Sequence, residues 1–205
     1  MIGLIKVMGL IPLKWSQRIG RLIGHILYRR RTCSREVARV NLQMCYPDMA
    51  EVELERLLQQ TLLQNGMTGT EMGPMWGYSQ QEGLALLKNV HNEELFDQAL
   101  ADERGVLLLC PHQGNWELVN NYVSSRCPIT IMYRPAKSKV FNEWMVSRRE
   151  QVGCKLVPTT GAGVKHLFAV LKGGGMVGFL PDQEPKARSG VFAPFMAVEQ
   201  TLTPK

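Results

Sequence analysis

The chain has 205 residues, 45% hydrophobic and 20% charged, which suits one folded core with an appendage and excludes a disordered polypeptide. Its five cysteines (33, 45, 110, 127 and 154) form no CxxC pair and its four histidines no HExxH, so neither a disulfide framework nor a metal site is expected, and the thiols read as free and mostly buried in a reducing compartment. Residues 1–50 hold nine Lys/Arg and two acids, a net of +7, while the rest of the chain nets −1; a basic first quarter implies an anionic partner such as a membrane surface, a nucleic acid or an acidic protein.

Met1 to about Leu13 is apolar but contains Lys6 and Pro12. It is shorter than the ~20 residues a spanning helix needs, and no small-residue cleavage site marks a secretory signal. Trp15, Ile19, Leu22, Ile23, Ile26 and Leu27 then recur at helical spacing. Arg18, Arg21, His25 and Arg29 occupy another face, with Arg30 and Arg31 following. This predicts a basic amphipathic helix with an interfacial tryptophan, and it sets residues 1–31 apart as a membrane-associating segment. Asp48–Gln64 predicts a second amphipathic helix. Residues 65–92, with five glycines and one proline, predict irregular structure. Asn92 to Asp102 predicts a helix capped by Asn92.

From Val106 an alternation begins. Strands are expected at Val106–Cys110, Ile129–Tyr133, Lys155–Val157 and Met176–Leu180. Helices are expected at Trp116–Ser125, Phe141–Gln151 and Val164–Leu171. Such repeats imply an α/β domain over residues 32–205, with a mixed, partly parallel sheet and helices on both faces. Reactive groups then belong at the carboxyl ends of the strands. His112, Arg134, Pro158-Thr-Thr160 and Pro181-Asp182-Gln183 follow the four strands in turn. The chain reaches Thr203-Pro-Lys205 without a closing element, and a sheet of this kind usually has more strands, so a further C-terminal piece is expected.

The stretch His112-Gln-Gly-Asn-Trp-Glu117 carries the chemistry. Gly114 lets the loop fold back, and Asn115 is placed as helix N-cap. Glu117 then falls in the first helical turn, where the helix dipole keeps a carboxylate ionised. An ionised Glu beside an imidazole orients it and stabilises the imidazolium formed when His112 takes a proton. This is base and orienter without a nucleophile: no GxSxG is present. A substrate that brings its own hydroxyl completes the set, and an activated acyl group such as a thioester is its natural target, with no cofactor or metal required. Arg134 is a candidate for a phosphate or a developing oxyanion. Arg148 and Arg149 are either exposed on the next helix or functional, and Asp182 either orders the site or caps a turn. Gly161-Ala-Gly163 with Lys165 lacks Walker A spacing and reads as a permissive turn.

These motifs together resemble the lipid A late acyltransferase family of Gram-negative bacteria, whose HxxxxD/E element is shared with the glycerolipid acyltransferases. His112 to Glu117 matches its HxGNWE form. Arg39-Val-Asn41 with Cys45-Tyr-Pro47, Tyr133-Arg-Pro135, Leu180-Pro-Asp-Gln183 and Val191-Phe-Ala-Pro-Phe195 match four further family segments in order. The resemblance implies transfer of an acyl chain from acyl carrier protein to a hydroxyl of a lipid A precursor, at the cytoplasmic face of the inner membrane. It implies His112 as general base, Glu117 as its catalytic partner, and Arg134 and Asp182 in support of the site; Arg149 joins Arg134 and Asp182 as a candidate on the substrate side. Members usually have a longer apolar N-terminal anchor and continue past Lys205. Many carry an Arg where this chain has Thr159 and Thr160. Two other functions compete: acyl transfer to another glycolipid or glycerolipid, and a non-catalytic module for anionic surfaces. Nucleic acid is disfavoured because residues 14–39 lack interleaved aromatic and basic side chains.

Overall fold

The computed structural model describes residues 3, 7, 9–102, 104–183 and 190–204, so six residues of the apolar opening expected over residues 1–13 lie outside the described residues. The chain divides into two compact units, one of Met75–Leu180 and one of Gly3–Pro74 with Pro181–Lys205. Residues of the basic opening segment therefore fall in the same unit as residues 32–74.

The helices described in full for that part of the chain are α1 (Leu13–Arg29), α2 (Cys33–Cys45) and α3 (Glu51–Gly77). The spacing from Trp15 to Leu27 predicts α1. The pattern did not predict α2, which buries no residue and is started by Thr32, whose hydroxyl accepts from the Arg35 N–H. α3 runs well past Gln64, through Gly66, Gly69, Gly73 and Pro74, where composition predicts irregular structure. Packing explains the difference. The buried residues of α1 are Ser16, Gly20 and Gly24, a stripe of small side chains one turn apart. A Cβ on Gly20 would sit 2.5 Å from Met67 Cα and 2.6 Å from the Gly66 carbonyl oxygen. The glycines of both helices thus permit backbone contact, and that contact outweighs their poor helix propensity.

Pro74 has no N–H, so it leaves the Thr70 carbonyl without its helical donor. The Ser16 hydroxyl donates to that carbonyl at 2.7 Å, and the Thr70 hydroxyl donates to the Ser16 carbonyl at 2.9 Å. Gln17 Nε2 donates to Glu71 at 2.8 Å. These bonds fix the rotation of α1 about its axis. Its apolar side chains consequently face outward: Trp15 is 56% and Leu22 61% exposed, with Ile19, Ile23 and Ile26 also exposed. The Arg18 guanidinium lies 4.5 Å above the Trp15 ring. Arg35 and Arg39 of α2 pair with Glu55 of α3, and Arg39 also with Glu51. Tyr28 donates to Glu55 at 2.9 Å. Burial raises the Glu55 pKa, but Tyr28 and the two arginines outweigh it and hold the carboxyl below its usual range.

The other unit holds α4 (Gln80–Leu84), α5 (Glu93–Ala101), β1 (Val106–Leu109), α6 (Trp116–Arg126), β2 (Ile129–Tyr133), α7 (Lys139–Gln151), β3 (Cys154–Pro158), α8 (Gly161–Lys172) and β4 (Met176–Phe179). The four strands form one sheet in the order β1-β4-β2-β3, with every neighbouring pair parallel. The expected mixed sheet is therefore wholly parallel here. The chain moves one way across the sheet through β1, β2 and β3, then turns back to β4. Right-handed crossovers put a returning helix on the opposite face. Accordingly Val123 of α6 packs with Ile129, Ile131, Cys154 and Met176 on one side. Leu167 of α8 packs with Val157 and Val177 on the other.

Outside this sheet, β5 (Gly190–Phe195) and β6 (Val198–Pro204) form an antiparallel hairpin, which the sequence pattern did not reveal. Its register shifts between Ala193 and Phe195, where Pro194 has no N–H to give the ladder. No disulfide links the five cysteines; Cys154 is buried, Cys33 is exposed and the other three are half-buried. The expectation of mostly buried thiols is corrected in that respect, because α2 buries no side chain.

Ser16→Ala leaves the Thr70 carbonyl without a donor beside the proline. We expect a loss of about 1–3 kcal/mol in urea unfolding, the cost of an unmet buried polar group; an unchanged midpoint would show that the bond does not hold α1.

Candidate active site

The parallel sheet brings the carboxyl ends of all four strands to one edge. Beyond β1 the chain turns through Pro111, His112 and Gln113 and enters α6 at Trp116. Gly114 adopts φ +61°, and nothing lies within 4 Å of a Cβ built there. The turn requires glycine for its left-handed backbone, not for space. Asn115 takes the N-cap position, as expected, although its side chain makes no capping bond. Glu117 stands in the first turn of α6.

Glu117 is only 4% exposed. Its carboxylate accepts from Arg149 Nε at 3.1 and 3.2 Å and from Arg149 Nη2. Asn120 Nδ2 donates to it at 3.3 Å. Arg149 comes from α7, and its side chain is 16% exposed. A buried carboxylate and a mostly buried guanidinium thus neutralise each other across two helices, in the side-on geometry that suits a planar fork. Burial, together with the negative charge of Glu117, pushes the Cys154 thiol on neighbouring β3 up to about 11.

The half-buried His112 lies edge-on to Trp116, ring centroids 5.0 Å apart at 71°. The turn keeps His112 and Glu117 at one helix entrance, but the carboxylate's hydrogen bonds go to Arg149 and Asn120. Sequence reasoning did not pick out Asn120 or Trp116. The signal for Asn120 is its helical i+3 spacing from Glu117.

Arg134 follows β2, is exposed and makes no ion pair with the described residues. Strands lie about 4.8 Å apart. With β4 between β1 and β2, the ends of the strands that lead to His112 and Arg134 are about 10 Å apart. The Thr159 N–H donates to the Tyr133 carbonyl at 3.0 Å, and Asn142 Oδ1 accepts from the Ala136 N–H at 2.9 Å, so the Arg134 loop is fixed on both sides. Arg148 donates to Gln151 at 2.8 Å and does not join Arg149. Thr160 caps α8 by accepting from the Gly163 N–H at 3.2 Å, which accounts for the Gly161-Ala-Gly163 turn. Asp182 is exposed beyond β4.

Removing one partner of a buried pair leaves an uncompensated charge. Arg149→Ala is therefore expected to lower stability by about 3–5 kcal/mol, and Arg148→Ala by no more than about 0.5 kcal/mol. Equal midpoints for the two variants in chemical denaturation would refute the pairing.

The chain matches the bacterial lipid A biosynthesis acyltransferase family over residues 1–205. It is 27% identical over 186 residues to the lipid A biosynthesis palmitoleoyltransferase of Escherichia coli strain K12, covering 91% of this chain and 58% of that protein. It is 26% identical over 202 residues to the lauroyltransferase of the same strain, covering 98% and 65%. A lipid A biosynthesis acyltransferase of Haemophilus influenzae is 26% identical over 192 residues, covering 90% and 57%. The chain thus spans roughly three-fifths of the length of these relatives. With all 205 residues matched, the protein belongs to the bacterial lipid A biosynthesis acyltransferase family.

Proposed function

We propose that the protein transfers a fatty acyl chain from an acyl carrier protein thioester to a hydroxyl of a lipid A precursor, with His112 as general base. The observation that supports this reading is a strand-turn-helix that carries His112 in the turn and a buried, charge-balanced Glu117 in the first turn of the helix that follows, in a chain of this family. The relatives' names supply the reaction class, and the turn supplies a group able to perform it.

In this mechanism the imidazole of His112 takes the proton of the lipid hydroxyl as its oxygen attacks the thioester carbonyl carbon. The C–S bond then breaks, and the departing thiolate receives the proton from the imidazolium. One ester and one thiol result, with no net gain or loss of protons. Glu117 acts as a positioning residue: clamped by Arg149, it fixes the start of α6 and so the loop that carries His112. Arg149 serves the substrate side from the same pair. Arg134, exposed on a fixed loop at the same sheet edge, takes a phosphate of the precursor or a developing oxyanion, and Asp182 orders the loop after β4. The fold is that of the glycerolipid acyltransferases.

Residues 1–31 hold the protein to the cytoplasmic face of the inner membrane. No helix among the described residues is long and apolar enough to cross a membrane. The outward Trp15, Ile19, Leu22, Ile23 and Ile26 of α1 enter the headgroup boundary while Arg18, Arg21 and Arg29 face anionic lipid.

General-base catalysis contributes about 10²–10⁴-fold. His112→Ala is expected to lower turnover at least ~10²-fold while retention on lipid A vesicles survives; equal turnover would end the proposal. Mass spectrometry of the products from lipid A precursor, glycerolipid and other glycolipid acceptors identifies the acceptor, and acylation of a glycerolipid alone would contradict the assignment.

A further inference from the structure

The main chain of the His112 loop is held along its length. The Cys110 N–H donates to the Phe179 carbonyl at 2.9 Å, so the pairing of β1 with β4 continues one residue past Leu109. The Gln113 N–H donates to the Pro111 carbonyl at 2.7 Å, which closes a γ-turn centred on His112. Gly114 reverses the chain, and the Leu118 N–H donates to the Asn115 carbonyl at 3.1 Å as α6 begins. With the main chain fixed from β1 to α6, the torsions of the His112 side chain remain to be set. A half-buried imidazole in a loop has several staggered rotamers, and a general base works from the one that reaches its proton.

The reversal at Gly114 brings the ring of Trp116 against that imidazole. The ring centroids are 5.0 Å apart and the planes are tilted by 71°, the edge-to-face arrangement that aromatic pairs favour over flat stacking. Trp116 is itself anchored. It is the first residue of α6 and directly precedes Glu117, whose carboxylate is bound by Arg149 and Asn120. The clamp on Glu117 fixes the start of the helix, the helix fixes where the indole stands, and the indole, large and rigid, limits the rotamers open to His112.

We infer that Trp116 is a positioning residue for His112, its ring holding the imidazole in the rotamer from which it takes the proton. The inference rests on the acyl-transfer reading above, in which His112 is the base. Trp116 acts through His112 and not on either substrate, so its loss falls on kcat and leaves KM in place. The contact is made by the ring and not by the indole N–H, so another aromatic side chain preserves it.

The test joins kinetics to a spectroscopic signature. Trp116→Leu and Trp116→Met remove the ring, Trp116→Phe keeps one, and thermal melts verify folding. For each variant, kcat and the KM values for acyl carrier protein thioester and lipid A precursor are measured, alone and combined with His112→Ala. Protein carrying isotope-labelled histidine is followed by NMR, with the His112 ring signal identified by its loss in His112→Ala. The leucine and methionine variants are expected to lose about three- to tenfold in kcat, the rate equivalent of one edge-to-face ring contact, with each KM within about twofold of wild type. Trp116→Phe retains most of kcat. Combined with His112→Ala, the leucine change adds no further loss, because Trp116 acts through the imidazole. The His112 signal carries a ring-current shift that leucine abolishes and phenylalanine keeps in part. A His112 signal unmoved by loss of the ring, an unchanged kcat in both non-aromatic variants, or an equal further loss on the His112→Ala background would overturn the assignment and leave the acyltransferase reading standing. A signal that moves as expected, in a protein that transfers nothing or whose turnover survives His112→Ala, would overturn the transfer reading and leave only the ring contact.

Discussion

The buried pair of Glu117 and Arg149 is the constraint around which the α/β unit is arranged. A carboxylate 4% exposed survives in a folded interior only if its charge is met. Arg149 meets it from α7, and Asn120 takes a further lone pair. The pair ties the start of α6 to the end of α7. Because the His112 loop feeds directly into α6, the same contact limits where the imidazole can be. In the proposed mechanism position is what matters, because a general base must lie within hydrogen-bond reach of the proton it removes.

A second constraint governs the N-terminal helices. Small residues on both α1 and α3 let the backbones touch, and the carbonyl freed by Pro74 is claimed by Ser16. The inward face of α1 is thereby committed to glycine and serine. Its large apolar residues have only the outside left to them. An apolar outward face with arginines along it is a poor design for water and a good one for a lipid boundary. The amphipathic pattern alone does not decide which face turns in; the glycines do.

Much of the α/β unit was legible in the sequence. The spacing located β2 from Ile129 to Tyr133 and placed the other strands and helices of the alternation to within a few residues, since burial on both faces makes parallel strands read as short apolar runs. The turn that separates His112 and Glu117, and the place of Glu117 in the first turn of the helix, were legible too. The partner of Glu117 was not. Arg149 lies 32 residues away on another helix, and nothing in a linear pattern distinguishes it from Arg148. α3 beyond Gln64 was misread because helix propensity is a local quantity, whereas Gly66 is there for a neighbour. The β5–β6 hairpin was missed because Pro194 interrupts its alternation.

In the proposed reaction a lipid hydroxyl, deprotonated at His112, accepts an acyl chain from a thioester. The most direct measurement follows both products in one reaction with purified protein, acyl carrier protein thioester and lipid A precursor: free thiol by colorimetry and intact lipid by mass spectrometry. One thiol is expected to be released for each acyl chain gained by the lipid. Thiol release without any gain in lipid mass, or no release at all, would contradict it.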